Sequence, residues 1–276
     1  MATVERAQEV LERLFDVRGT RAIVTGAASG LGFAMAEVLA ECGAHVTLAD
    51  VDADLLAEST RTLTDRDLNA RSFVADVSDE SRVEALIRDV VEAEGGVDVV
   101  IANAGIAGAP GFATEGGQRI DTVEREVFDR VLGVNLHGVL YTMKHAAAAM
   151  KEHGAGGRIV VVSSIAGLHP EPVVGYEYIA SKAAVINIVR QAALDLAPYG
   201  ILVTAICPGP FKGTRIGAGL TLDPEPEVEA GWTSMIPLRR MATPEELKGI
   251  VLLLASPAGS FITGTALVVD GGAITH

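Results

Sequence analysis

The stretch Thr25-Gly26-Ala27-Ala28-Ser29-Gly30-Leu31-Gly32 decides the fold, together with what stands on either side of it. Before it, Arg21-Ala22-Ile23-Val24 is a short apolar run with the β-branched character of a buried strand. After it, residues 33–42 carry apolar side chains along a helical face until Gly43 stops them. Strand, glycine turn and helix make a phosphate site: backbone N–H groups approach an anion closely, and the helix N-terminus carries partial positive charge. Gly26, Gly30 and Gly32 stand where a side chain would collide with a pyrophosphate, with Ser29 and Leu31 between them. The spacing is GxxxGxG, not the more familiar GxGxxG.

Outward from this turn, strands and helices alternate. Residues 45–49 read as a second strand ending at Asp50, 71–75 as a third ending at Asp76-Val77, and 97–102 as a fourth ending at Asn103-Ala104-Gly105. Helical patterns fill 52–66 and 81–94. A glycine-rich loop at 106–122 leads into one long helix over 123–153, interrupted only by Gly133 and Gly138. An apolar strand at 158–162, a helix at 178–197 and a strand at 202–206 closing on Cys207-Pro208-Gly209 follow. Residues 210–235, rich in glycine and proline, read as a mobile lid, before a helix at 244–255 and a last strand at 266–269. The alternation predicts an α/β fold: a single-domain, doubly wound parallel sheet of the Rossmann type, with about seven strands and helices on both faces. Residues 1–17 form an amphipathic helical extension, with Val4, Ala7, Leu11, Leu14 and Phe15 at helical spacing; residues 18–276 form the catalytic domain. In such sheets ligands bind outside the carboxyl ends of the strands, where the turns named above lie.

The totals narrow the classes. At 276 residues and 49% hydrophobic composition the chain buries one large core, and a net charge of −14 argues against a nucleic-acid surface. Cys42 and Cys207 are far apart and fit no metal spacing, which suggests free thiols in a reducing compartment. His137, His145, His153 and His169 show no ligand spacing, so no metal is expected. The N-terminus is acidic and lacks a signal peptide's apolar core, and no apolar run reaches membrane-spanning length; a cytoplasmic protein is expected, with no membrane partner.

Asp50 lies 18 residues after Gly32, where a carboxylate accepts hydrogen bonds from both hydroxyls of an adenosine ribose and repels a 2′-phosphate. With no Lys or Arg in the turn or just after Asp50, the expected cofactor is NAD and not NADP. Asp76 is placed to take the adenine amino group, and Val77 to lie against the ring. The strongest chemical signal is Tyr178-Ile-Ala-Ser-Lys182: a separation of four puts both side chains on one helix face. A free phenol has a pKa of about 10, and a neighbouring ammonium favours its ionised form, so Lys182 is expected to bring Tyr178 toward useful acid–base strength. Lys182 also suits a hydrogen bond to the nicotinamide ribose. Ser164 ends the buried strand and is placed to hold a substrate oxygen, whereas Ser163 reads as a strand-end hydrogen bonder. Asn135, a poor interior helix former, needs a partner to hold it in place.

Taken together, TGAASGLG, Asp50, Asp76-Val77, Asn103-Ala104-Gly105, Asn135, Ser164, Tyr178-x-x-x-Lys182 and Pro208-Gly209 resemble the short-chain dehydrogenase/reductase family over residues 18–273. The resemblance implies NAD(P)-dependent hydride transfer at a secondary alcohol or its ketone. It implies Tyr178 as general acid/base, Ser164 as partner of the substrate oxygen, and Lys182 as pKa tuner and ribose clamp. It further implies that Asn135 holds a water relaying protons to Lys182, that Asn103 braces the central strands, and that subunits assemble, here as a homotetramer. Three features depart from the family pattern. Ser164 and Tyr178 are separated by 14 residues, one more than expected; Thr214 comes one step late after Pro208-Gly209; and the N-terminal helix is extra. Two other readings compete: an NAD-binding sensor without turnover, and an epimerase or dehydratase that uses NAD transiently. Pocket walls at His169, Glu171, Tyr176, Phe211 and Trp232 fit a polyol, a hydroxy acid or a cyclic alcohol alike.

Overall fold

The computed structural model describes residues 2–214 and 226–275. Its seven-stranded sheet comprises β1 (Arg21–Thr25), β2 (His45–Asp50), β3 (Ala70–Val74), β4 (Val99–Ala102), β5 (Gly157–Val162), β6 (Ile201–Pro208) and β7 (Ala266–Val269). All pair in parallel, in the order β3-β2-β1-β4-β5-β6-β7. The order reverses between β1 and β4, and a crevice opens there at the strands' carboxyl ends.

Strand side chains divide between two cores by simple alternation. Ala22 and Val24 of β1, Val99 and Ile101 of β4, and Val160 and Val162 of β5 belong to one. Ile23, Val100, Ala102, Ile159 and Val161 belong to the other. With period two, both faces of a buried strand must be apolar, which is why these segments read as unbroken hydrophobic runs. The first core is closed by α2 (Gly30–Glu41), α3 (Ala53–Thr64) and α9 (Glu245–Ala255), through Met35, Leu39, Leu56, Leu247 and Val251. The second is closed by α4 (Glu80–Glu94), α6 (Val139–His153) and α7 (Tyr176–Leu196), through Leu86, Met143, Val185 and Val189. The N-terminal helix α1 (Ala2–Phe15) lies against the turn at Pro257–Gly259.

Two expectations are corrected. The long helix at 123–153 is α5 (Arg125–Leu132) and α6 joined by a π-helical segment, Gly133–Gly138. One extra residue enters the helical path there because Asn135 is drawn inward to partners outside the helix. Within the lid region at 210–235, residues 215–225 lie outside the described residues, whereas α8 (Pro226–Met235) is helical.

Candidate active site

A cleft of about 740 Å³ runs along the carboxyl edge of the sheet, and one end of it is built by the glycine turn. The glycines are there for a reason other than ligand clearance. A Cβ on Gly32 would stand 2.0 Å from the Gly26 carbonyl oxygen, and one on Gly26 would stand 2.7 Å from the Ala104 Cα. Close packing of strand, turn and helix therefore demands these two, while Gly30 adopts φ +56°, a conformation that favours glycine. Ser29 opens α2 without a side-chain cap bond, and the first turn contains no acidic residue. The helix thus presents unsatisfied N–H groups and its positive end to the cleft.

Asp50 and Asp76 stand along this end. The Asp50 carboxylate accepts from the Ala28 N–H (3.1 Å) and the Asp52 N–H (3.1 Å), which fixes its orientation. Among the described residues lining the cleft near it are Val51, Asp52 and Leu55, and no cation. Asp76 spends one oxygen on the Ser78 N–H and hydroxyl, and Val77 is buried beside it. Asn103 ties β4 to β1: its Nδ2 donates to the Thr25 and Gly26 carbonyls, each at 3.0 Å. Ala104, Gly105, Pro208 and Gly209 also line the cleft.

The reactive groups meet in the middle. Tyr178 and Lys182, one turn apart on α7, are both buried. The Lys182 ammonium donates to the Val162 carbonyl (2.9 Å) and lies 5.6 Å from the centre of the Tyr178 ring. Burial without a carboxylate partner lowers its pKa to about 8. Burial likewise pushes the Tyr178 phenol above its ordinary value, and a hydrogen bond with Ser164 only partly offsets this. The net direction is opposite to the one expected from the spacing, because desolvation outweighs any help from the ammonium. Ser164 Oγ accepts from the Ala166 N–H (3.1 Å), capping the turn Ile165–Gly167. Ser163 donates to the Lys182 carbonyl (2.8 Å), the strand-end role read from the sequence. Asn135 is wholly buried: its Oδ1 accepts from the Ile106 N–H (2.8 Å), and its Nδ2 donates to the Ile106 carbonyl (2.8 Å) and Ser181 Oγ (3.2 Å).

At the far end, His169, Glu171, Phe211 and Trp232 line the cleft. Phe211 is only 1% exposed and belongs to the first core, so it serves as floor more than wall. Tyr176 is a correction: it is the first residue of α7, its N–H donates to Gln118 Oε1 (2.9 Å), and it is not among the residues lining the cleft. Sequence reading missed Ile106, Val174 and Met235, which do line it. They are ordinary apolar residues, Ile106 and Val174 in irregular segments and Met235 at the end of α8, and carry no signal of their own. Glu177 was also missed; it is wholly buried beside Tyr178, with Oε1 accepting from the Ala109 N–H (3.0 Å).

Fold and site define the class: a doubly wound α/β oxidoreductase with a Ser–Tyr–Lys group and a glycine turn along one cleft. A family model described as enoyl-(acyl carrier protein) reductase matches residues 26–274. The chain is 40% identical to the cis-4-hydroxycyclohexanecarboxylate dehydrogenase of Sinomonas cyclohexanicum, over 91% of this chain and 95% of that one. It is 34% identical to the galactitol 2-dehydrogenase of Agrobacterium fabrum, over 91% and 96%. Among solved structures, the 3-ketoacyl-(acyl-carrier-protein) reductase from Brucella melitensis complexed with NADH superposes with a TM-score of 0.83 at 32% identity, covering 93% of this chain and 99% of that one. The chain belongs to the short-chain dehydrogenase/reductase family. Among the described residues, no helix is long and apolar enough to cross a membrane.

Proposed function

We propose that the protein is an NAD-dependent dehydrogenase of a secondary alcohol, working reversibly on the corresponding ketone. The observation that carries this is one cleft holding, in sequence along it, the uncapped N-terminus of α2, the oriented Asp50 carboxylate, and Ser164, Tyr178 and Lys182. The residues present fit the nucleotide. Gly26, Ser29, Gly30, Leu31 and Gly32 offer backbone N–H groups to its pyrophosphate, Asp50 takes the adenosine ribose, and Asp76 with Val77 takes the adenine. The backbone of Asn103, Ala104 and Gly105 and that of Pro208 and Gly209 flank the nicotinamide half, with Lys182 on its ribose. Once bound, NAD supplies the hydride acceptor.

The chain's own part is proton handling and orientation. Ser164 holds the alcohol oxygen, and Tyr178 takes its proton as the phenolate, a form that burial disfavours in the empty cleft and that the positive charge of bound oxidised nicotinamide would favour. A Cβ at Gly105 would lie 3.3 Å from Lys182 Nζ and 3.4 Å from Asn135 Oδ1, so glycine there keeps both groups uncrowded. A water held by the two would carry the proton from Lys182 outward. The Asn135 amide hydrogens are already spent on Ile106 and Ser181, so the asparagine meets the water through Oδ1. The relatives are named as dehydrogenases, which lends no support to a sensor or an epimerase/dehydratase. A homotetramer in the cytoplasm is the assembly and location proposed.

The test is NADH formation across a panel of secondary alcohols, with Tyr178→Phe as the deciding variant. Loss of a positioned acid–base group costs about 10²–10⁴ in rate. The variant should fall at least that far and still bind NAD by calorimetry. Near-parent turnover without the phenol would end the proposal.

A further inference from the structure

The far end of the cleft holds one carboxylate whose role the hydride-transfer reading does not use. Glu171 is half-buried and lines the cleft, yet among the described residues no donor hydrogen-bonds or pairs with it. Its close charge is His169, whose Nδ1 lies 2.9 Å from the Pro170 carbonyl oxygen. Burial raises the Glu171 carboxyl above its ordinary range, the mark of a desolvated acid without donors. The residue is near enough to Tyr178 for its charge to push the phenol's pKa upward.

Glu171 does not hang from a loose loop. The next residues are stitched to the segment after β4: Ala113 N–H donates to the Pro172 carbonyl (2.9 Å), Gly111 N–H to the Val173 carbonyl (2.9 Å), and Pro110 bridges Val174 in antiparallel fashion. Gly175 N–H donates to the Ala109 carbonyl (3.1 Å), and the buried Glu177 carboxylate fastens the same segment from below. The result is a braced wall whose unpartnered acceptor lines the cleft.

The described charges around it favour some alcohols over others. Of the described basic side chains, only Lys182 and His169 line the cleft, and Lys182 is bonded to the Val162 carbonyl. Lys212, next to the lining residue Phe211, is paired with Glu229. The remaining walls at this end, Ile106, Val174, Trp232 and Met235, are mainly apolar. A substrate carboxylate would meet the Glu171 carboxylate, with His169 the one described basic group beside it and Lys182 tied to Val162, whereas a hydroxyl would satisfy an acceptor that otherwise stays desolvated.

We infer that Glu171 is a specificity-determining residue that accepts a hydrogen bond from a second hydroxyl of an uncharged diol or polyol substrate and turns away hydroxy acids. The inference rests on the hydride-transfer reading for its substrate class. It also predicts a substrate of different charge from that of its 40% identical relative, whose name gives a hydroxy acid.

Matched rings test it: cyclohexanol, the 1,2-, 1,3- and 1,4-cyclohexanediols, 4-aminocyclohexanol and 4-hydroxycyclohexanecarboxylate. Binding is read by calorimetry with NADH present, and turnover is read separately as NADH formation. The expected order of affinity in the parent is a diol first, then cyclohexanol, then the carboxylate, with roughly ten-fold steps. Glu171→Ala should bring the diol down to cyclohexanol and improve the carboxylate roughly ten-fold. Glu171→Gln, which keeps an acceptor and loses the charge, should retain most of the diol preference. Tighter binding of the carboxylate than the diol, tighter binding of the amine than the diol, no binding of any ring, or an unchanged diol-to-cyclohexanol ratio in Glu171→Ala would each overturn the inference. Retention of the predicted binding order without turnover of any ring would support Glu171's role and count against hydride transfer alone.

Discussion

At the scale of single residues, burial is the dominant force on the chemistry. Lys182 is held away from water at a pKa of about 8. An amine whose folded pKa lies below its unfolded value of 10.5 opposes folding wherever the unfolded chain would be protonated. That penalty is fully present below about pH 8 and is relieved between about pH 8 and 10.5; at about 1.4 kcal/mol per unit it reaches about 3 kcal/mol. Lys182→Met should therefore raise the melting temperature at pH 7, measured without added nucleotide, with the gain shrinking as pH approaches 10. The same variant should be nearly inactive. A lower melting temperature at pH 7 would show that the bond to Val162 outweighs desolvation. Asp50 gives the second prediction. Its carboxylate is oriented by two backbone N–H groups, with no described cation nearby in the cleft. Asp50→Ala combined with Val51→Arg should weaken NAD and admit NADP; an unchanged NAD/NADP ratio of kcat/KM would mean that another residue reads the ribose. What was legible at this scale was residue type at the right spacing: Tyr178, Lys182, Ser164, Asp50 and Asn103 all face or frame one cleft. What was not legible was the sign of the Tyr178 shift. Spacing places an ammonium near a phenol, but desolvation depends on everything packed around them. Tyr176 misled because helical spacing does not say which wall the first residue of α7 joins; its N–H is held by Gln118, 58 positions earlier in the chain.

At the scale of elements, the passage from α5 to α6 shows how one polar residue reshapes a helix. Asn135 answers both backbone groups of Ile106 and also the Ser181 hydroxyl, tying the π segment to the loop after β4 and to α7. Gly138 allows the same segment to press on Val77, where a Cβ would stand 2.7 Å from Val77 Cγ2. Asn135→Ala would strip three buried hydrogen bonds and leave Ile106 unsatisfied, at a cost of about 2–3 kcal/mol. Urea unfolding should show that loss as a lower midpoint with an unchanged slope, accompanied by slower turnover. An unmoved midpoint would assign the segment's shape to the Gly138–Val77 packing instead. The sequence showed an asparagine in want of a partner, but the partners lie 29 and 46 positions away, beyond any local pattern. Strand positions were far more legible, because a strand covered on both faces must be apolar at every position. α8 was hidden by its glycine- and proline-rich surroundings, although Pro226 followed by Glu227 and Glu229 has the composition of a helix start.

At the scale of the molecule, the two cores cover both faces of the sheet and still leave apolar groups outside. On the side of the second core, Leu140 of α6 and Leu194 of α7 are exposed, Leu194 to 74%. At the other end of the sheet, β7 is an edge strand with Val268 exposed, and Phe261 just before it is fully solvent-facing. The extra helix α1 adds exposed Val10, Leu11 and Leu14 near the turn at Pro257–Gly259, which precedes Phe261. Two separate apolar regions on one chain match the needs of two different two-fold contacts, which together close a tetramer and leave no sticky face. Sedimentation at micromolar concentration should accordingly give four times the 28.7 kDa chain mass. Leu194→Arg and Phe261→Asp should each remove one contact and yield dimers, and the double variant should yield monomers. Because neither residue lines the cleft, NAD binding should persist in the dimers. A parent mass near a single chain would refute the assembly. A tetramer that survives both substitutions would place its contacts elsewhere on the surface.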